Sequence, residues 1–190
     1  MSAIKYETAE MDLPTLVAVH RLLTGRGLQY LIYGGWGLDV IRGGQSRPHR
    51  DLDLFFWRRD YERLRSLLTT QGFMVYELAG RHLAVKSPFR ADMVFLDDSN
   101  TEHIVGVASA FEVRVPRRGF DVWTYGVVEG HHLPVGCVEM VVRLCGYSRN
   151  SPPSDRALVA EVTARCDRRL LDEIERVRLP YDKNSVWTAC

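Results

Sequence analysis

Asp51 and Asp53 stand two residues apart at the head of an otherwise apolar run, and a glycine pair, Gly34-Gly35, precedes them. Along a strand, residues i and i+2 share a face, so the two carboxylates point the same way. Aspartate is depleted from strands, and like charges on one face repel. The pattern therefore needs a compensating positive charge. A divalent cation is the simplest candidate, since hard cations such as Mg²⁺ take oxygen ligands. Gly34-Gly35 ends an apolar run, and a short helix-like piece follows it, closing at Gly43-Gly44. Backbone N–H groups left bare before a helix suit a phosphate. Residues 31–57 together read as a phosphate-and-metal site.

The flanking elements must hold these groups in place. Asp12 before Leu13-Pro14 marks a helix start, and Gly25 and Gly27 stop that helix. Residues 28–33 read as the strand that delivers the chain to Gly34-Gly35. After the second aspartate, a helix over 60–70 with a Leu64, Leu67, Leu68 stripe leads into strands over 73–78 and 82–87, and then 90–96. Asp92 lies in that last strand, on the face of Val94 and Leu96. A lone carboxylate there is costly unless it is paired or metal-bound, and Arg81 and Arg90 are the available pairing partners. Residues 102–135 are β-rich, and 138–145 form a short apolar helix. A last helix is expected from Ser154, its stripe running Leu158, Val162, Cys166, Leu170, Ile174 and Val177.

Composition sets the outer limits. The chain has 190 residues, 46% of them apolar and 26% charged, which suits one globular domain with at most a small appendage. A net charge of +1 gives no global basic footprint for a polyanion, and Arg114, Arg117 and Arg118 read as a solvated turn rather than a phosphate groove. No apolar run is long enough to cross a bilayer, and residues 1–13 lack a signal-peptide core, so a cytoplasmic protein without membrane attachment is expected. Cys137, Cys145, Cys166 and Cys190 have no CxxC spacing and read as reduced structural thiols. His20 reads as a core-edge histidine, and His131-His132 has no partner at ligand spacing.

Gly34-Gly35-Trp36-Gly37-Leu38-Asp39, followed by Arg47-Pro48-His49-Arg50-Asp51-Leu52-Asp53, resembles the signature of the aminoglycoside and lincosamide nucleotidyltransferases, within the polymerase-β-like nucleotidyltransferase superfamily. The resemblance is dense here and thin elsewhere. It implies an α+β fold: a nucleotidyltransferase core over residues 1–135, with a mixed sheet flanked by helices, and a small C-terminal helical segment over 136–190. It also implies a Mg²⁺-dependent enzyme that moves an NMP, AMP in the first instance, from a nucleoside triphosphate to a hydroxyl of an antibiotic-like acceptor. By the same resemblance Asp51 and Asp53 hold two Mg²⁺ ions. Asp92 stands in the place of the third carboxylate, as a ligand and as the group that takes the acceptor's proton. Gly34 and Gly35 cradle the triphosphate and Arg47 and His49 contact it, with a turn-stabilising role for the latter two left open. Trp36 and Asp39 match the motif and support it, Trp36 by packing and Asp39 by fixing a turn or an acceptor group.

The chain departs from that pattern near its end. Cys145 stands where the family often has a histidine, and Asp155 alone represents an acidic pair, so the acceptor is open. A cationic acceptor would want an acidic pocket, for which Glu102, Asp97, Asp98, Asp121 and Glu129 are candidates. A toxin that modifies tRNA and a catalytically silent binding protein are the rival readings. An RNA acceptor and a homodimer stay open as partners.

Overall fold

The computed structural model describes residues 10–78, 81–87, 89–108, 111–120, 124–145, 153–179 and 188–189. Helix α1 (Leu13–Thr24) starts where expected. The Asp12 carboxylate accepts hydrogen bonds from the Thr15 N–H at 3.0 Å and the Thr15 hydroxyl at 2.6 Å, the usual way of satisfying an orphan N–H. Strand β1 (Tyr30–Tyr33) runs directly into helix α2 (Gly34–Arg42), and strand β2 (Leu52–Trp57) carries the chain back beside β1. After helix α3 (Tyr61–Thr70) come β3 (Met74–Leu78), β4 (Arg81–Lys86) and β5 (Phe89–Asp97). The β-rich stretch resolves into β6 (His103–Ala108), β7 (Phe111–Pro116), β8 (Thr124–Val128) and β9 (His131–Val135), followed by helix α4 (Val138–Cys145).

The C-terminal part differs from the expected single long helix. Helix α5 (Pro153–Thr163) stops, the chain turns, and helix α6 (Arg168–Glu173) begins on an Asp167 cap; Val177 then lies in strand β10 (Glu175–Arg178). The apolar stripe is real, since Leu158, Val162, Leu170 and Ile174 are all buried. It is shared among three elements because two side chains intervene. Asp167 accepts from the N–H groups of Arg169 and Leu170, and the buried Glu139 of α4 accepts from the Asp167 N–H at 2.7 Å. Strand β11 (Thr188–Ala189) pairs with β3.

The strands form one mixed sheet in the order β10-β7-β6-β5-β2-β1-β9-β8, with β4, β3 and β11 branching from β5. The pairs β2·β5 and β1·β9 are parallel. Both faces of the central strands are covered, which is why β2 and β5 read as near-continuous apolar runs. Ile32, Leu54, Phe56, Met93 and Phe95 pack with Leu16 of α1, Trp36 and Leu38 of α2, and Leu64 of α3. Leu31, Phe55, Val94 and Leu96 face the other way, against Met140 of α4 and Leu170 of α6. Asp53 and Asp92 belong to this second face by strand alternation. The heads of β2 and β5 lie together at the end of the sheet where β1 gives way to α2. The mixed α+β fold with helix-flanked sheet matches the expectation.

Glu139 is the tie between α4 and the turn that redirects the chain from α5 to α6. Glu139→Ala leaves the Asp167 N–H without that acceptor, and stability is expected to fall by about 1–3 kcal/mol. Urea denaturation checks this, and an unchanged midpoint would remove Glu139 from that role.

Candidate active site

Three strands present a polar row across an otherwise apolar face. Tyr33 of β1 is the register partner of Asp53 on β2, and Asp53 is the register partner of Asp92 on β5. Register partners project to the same side of a sheet, and Asp51, two residues before Asp53, joins them. The electrostatics follow from crowding. Burial first, then the Asp51 and Asp92 charges, push the Asp53 carboxyl well above the usual carboxylate range. Asp51 is raised for the same reasons, by burial and then by Asp92. Burial, with Asp53 and Asp92 behind it, also lifts the Tyr33 phenol, so the hydroxyl keeps its proton.

Asp92 is almost fully buried and is ion-paired with both arginines raised as its partners. Its Oδ2 lies 2.6 Å from Arg81 and 2.9 Å from Arg90. Its Oδ1 is buried and accepts no hydrogen bond from a described residue. Pairing with arginine thus accounts for one oxygen of this carboxylate and leaves the other.

Opposite this row is the start of α2. Gly34 has φ +66°, and a Cβ there would come within 1.9 Å of Asp53 Oδ2. Glycine lets the backbone turn into the helix while the carboxylate lies against it. A Cβ on Gly35 would sit 2.7 Å from His49 Nδ1 and 3.0 Å from an Arg47 guanidinium nitrogen. Arg47 and His49 therefore gather over the helix start, where N–H groups and the helix dipole favour an anion.

The motif residues between these points hold the turn. Asp39 is fully buried, and its Oδ2 is 2.7 Å from His49 Nε2 and accepts from the Ser46 N–H at 3.0 Å. Trp36 packs against the His49 ring with centroids 4.4 Å apart. The His49 backbone forms a bridge with Met11, the Met11 N–H donating at 2.6 Å. Asp39 and Trp36 thus support the motif, as expected, and fix both the position and the edge of His49 that faces Gly35. The Asp39–His49 pairing bridges ten residues across a turn, and no periodicity announces it.

The acidic residues considered for an acceptor pocket are elsewhere. Asp97 and Asp98 lie at the far end of β5, ion-paired with Arg58 and Arg59. Glu102, just before β6, is beyond that same end, and Glu129 sits in the β8–β9 turn, away from the β9 end that meets β1. Asp121 lies outside the described residues, as does the stretch 146–152 with its Gly-Tyr step. Composition could not reveal which end of the sheet each acid occupies. Arg117 is spent on the Asp98 and Asn100 carbonyls, Arg118 pairs with Glu173, and Arg114 pairs with Glu112 and Glu175. His20 is satisfied by the Tyr30 hydroxyl at 2.8 Å, and Cys137 and Cys166 are free thiols. Among the described residues, no helix is long and apolar enough to cross a membrane.

The donor chemistry suits a hard divalent cation. Three carboxylates crowd one face, two are disfavoured in their charged form by burial and one another, and a third has an orphaned buried oxygen. Among the described residues no three acidic, histidine or cysteine side chains converge at metal-holding spacing, and Asp92 Oδ2 is paired with Arg81 and Arg90.

A helix-flanked mixed sheet with carboxylates at the heads of two parallel strands, facing a glycine-led helix, is the nucleotidyltransferase fold. Solved structures of that fold superpose over most of the chain. The lincomycin-bound lincosamide antibiotic adenylyltransferase LnuA matches with a TM-score of 0.65 at 17% identity, covering 82% of this chain and 99% of that one. The antibiotic-resistance factor ANT(2'')-Ia matches with a TM-score of 0.60 at 19% identity, covering 85% and 89%. Its complex with adenylyl-2"-tobramycin gives 0.53 at 16%, covering 80% and 94%. A lincosamide resistance protein of Staphylococcus haemolyticus is 37% identical over 46 residues, which span 24% of this chain and 29% of that protein. The family model for aminoglycoside-2''-adenylyltransferase matches residues 15–135. The chain belongs to that family.

Asp39→Ala removes the acceptor of both His49 Nε2 and the Ser46 N–H in a buried site. A loss of about 1.5–3 kcal/mol is expected, with Asp39→Asn milder because it keeps an acceptor oxygen. Thermal and urea denaturation compare the two, and an Asp39→Ala variant as stable as wild type would contradict this anchoring.

Proposed function

We propose that the chain is a Mg²⁺-dependent nucleotidyltransferase that moves an NMP, AMP foremost, from a nucleoside triphosphate to a hydroxyl of an aminoglycoside- or lincosamide-type acceptor, releasing pyrophosphate. The observation that carries this is the cross-strand row of Asp53 and Asp92, with Asp51 beside them, set against the Gly34-Gly35 helix start. Relatives named for adenylylating these two antibiotic classes support the choice of donor and acceptor.

The roles follow from the positions. The triphosphate lies on the start of α2, with Arg47 and the Nδ1 edge of His49 over Gly35. Asp51 and Asp53 would hold two Mg²⁺ ions, and Asp92 would complete one of them. Bound Mg²⁺ would neutralise charge on the phosphates and make the acceptor hydroxyl more acidic. The acceptor hydroxyl attacks the α-phosphorus in line while pyrophosphate departs, and Asp92 Oδ1 is the free oxygen that can take the proton. Chemistry of this kind depends mainly on positioning and charge stabilisation. An RNA acceptor has less support, since the cluster of Arg114, Arg117 and Arg118, read as a solvated turn, is engaged by Glu112, Glu173, Glu175 and backbone carbonyls. Incubation with α-labelled nucleoside triphosphates, a panel of aminoglycosides and lincosamides, and total RNA tests the assignment. Label transferred to an antibiotic supports it, and label on RNA alone would replace it.

The carboxylates should respond differently to neutralisation. Asp51→Asn and Asp53→Asn are expected to abolish transfer yet keep or raise stability, because each relieves repulsion in a crowded site. Asp92→Asn is expected to lose transfer by about 10²–10⁴-fold, the typical cost of a positioned base. It should also lose stability, since two guanidinium groups lose their shared anion. Single-turnover assays with parallel thermal melts check the contrast. Near-wild-type turnover in any of the three would remove that residue from the site.

A further inference from the structure

We propose that Arg81 is a built-in counter-cation of the carboxylate row, which competes with Mg²⁺ for the carboxylates and is displaced when the metal is loaded. The inference rests on the reading of the row as the metal-holding transfer site. Arg81 opens β4, and its register partner on β5 is Val94. Its side chain therefore projects from the same face as Asp92, one diagonal step away. Its guanidinium lies 2.6 Å from Asp92 Oδ2, and Asp53 and Tyr33 also act on its charge. Arg81 thus sits among the groups a metal ion would draw together.

Arg81 and Arg90 do not stand alike. Arg90 shares strand β5 with Asp92, two residues away on the same face, so this pair is local to one strand. Arg81 arrives from a neighbouring strand; its side chain is 34% open to solvent, close to the 31% of Arg90, against 2% for Asp92, so what sets it apart is the strand it comes from. It can leave toward water, whereas the carboxylate cannot. With all three carboxylates ionised, two arginines leave the row one negative charge in excess, and withdrawal of Arg81 leaves two, which matches a divalent ion. By linkage, whatever Arg81 gains from the row is subtracted from Mg²⁺ binding to the metal-free chain. The triphosphate, arriving at the same end of the sheet, offers the released guanidinium another anion, so nucleotide binding favours metal loading.

Calorimetric titration of Mg²⁺ alone into nucleotide-free protein tests this without any transfer assay. Arg81→Met is expected to bind Mg²⁺ about tenfold more tightly than wild type, within the roughly 5–150-fold range typical of coupled sites. Metal-free Arg81→Met should also melt lower than wild type and gain more from added Mg²⁺. Arg81→Lys keeps a cation and should stay near wild type in affinity, a rescue that a purely structural role would not produce. Unchanged or weaker Mg²⁺ binding by folded Arg81→Met overturns the inference alone. If Arg81→Met does not fold, the wild-type Arg81 Nε–H resonance decides. Slow exchange without metal that becomes fast with Mg²⁺ and a non-hydrolysable triphosphate supports displacement, and persistent slow exchange overturns it. A wild type that binds no Mg²⁺ even with that triphosphate overturns the transfer reading, and this inference with it.

Discussion

Repulsion among buried carboxylates is the constraint on which the rest of the structure depends. Asp51, Asp53 and Asp92 share one face at the heads of two parallel strands, where burial and like charge both oppose ionisation of Asp51 and Asp53. A folded chain tolerates such a row only with positive charge at hand. Arg81 and Arg90 supply it on one flank through Asp92. On the other flank, Gly34 brings backbone against Asp53 with no intervening side chain. The sheet topology serves this placement: the parallel pairing of β2 and β5 sets Asp53 and Asp92 side by side, and the antiparallel return from β1 brings the helix start to the same end.

The glycine-rich motif and the aspartate motif are mechanically one unit. Asp39, within α2, holds His49 and the Ser46 N–H, while Trp36 packs on the His49 ring. The turn between α2 and β2 is thereby locked to the helix it follows, and the bridge from Met11 fastens it again from outside. His49 is fixed on one ring edge by Asp39, and its other edge faces Gly35. Contact with phosphate and stabilisation of the turn, open alternatives from sequence, are compatible uses of the same side chain.

Local chemistry was the most legible part of the sequence. Two aspartates two residues apart, a glycine pair before a helix, and a single carboxylate in an apolar strand each state their burden within a few residues. The fold class followed from the family resemblance that these motif residues carry. What stayed hidden depended on contacts between distant segments. The stripe from Leu158 to Val177 has helical spacing throughout, yet Asp167 and Glu139 break it into two helices and a strand. Tyr33 gave no sign beyond being aromatic, because its place beside Asp53 comes from cross-strand register. Asp97, Asp98, Glu102 and Glu129 offered suitable charge for an acceptor pocket, but register puts them toward the opposite end of the sheet. Pairing of Asp92 with arginine looked like an alternative to a functional role. Both arginine pairs are present, and the second carboxylate oxygen remains uncommitted.

The central claim is that the carboxylate row and the α2 start together form the nucleotide and metal site. A crystal structure of the chain with Mn²⁺ and a non-hydrolysable nucleoside triphosphate tests it most directly, because anomalous scattering locates the metal independently of activity. The account predicts anomalous peaks bounded by Asp51, Asp53 and Asp92, with the triphosphate over Gly34-Gly35 and within reach of His49. Metal held by other residues, or a triphosphate bound away from the start of α2, would contradict it.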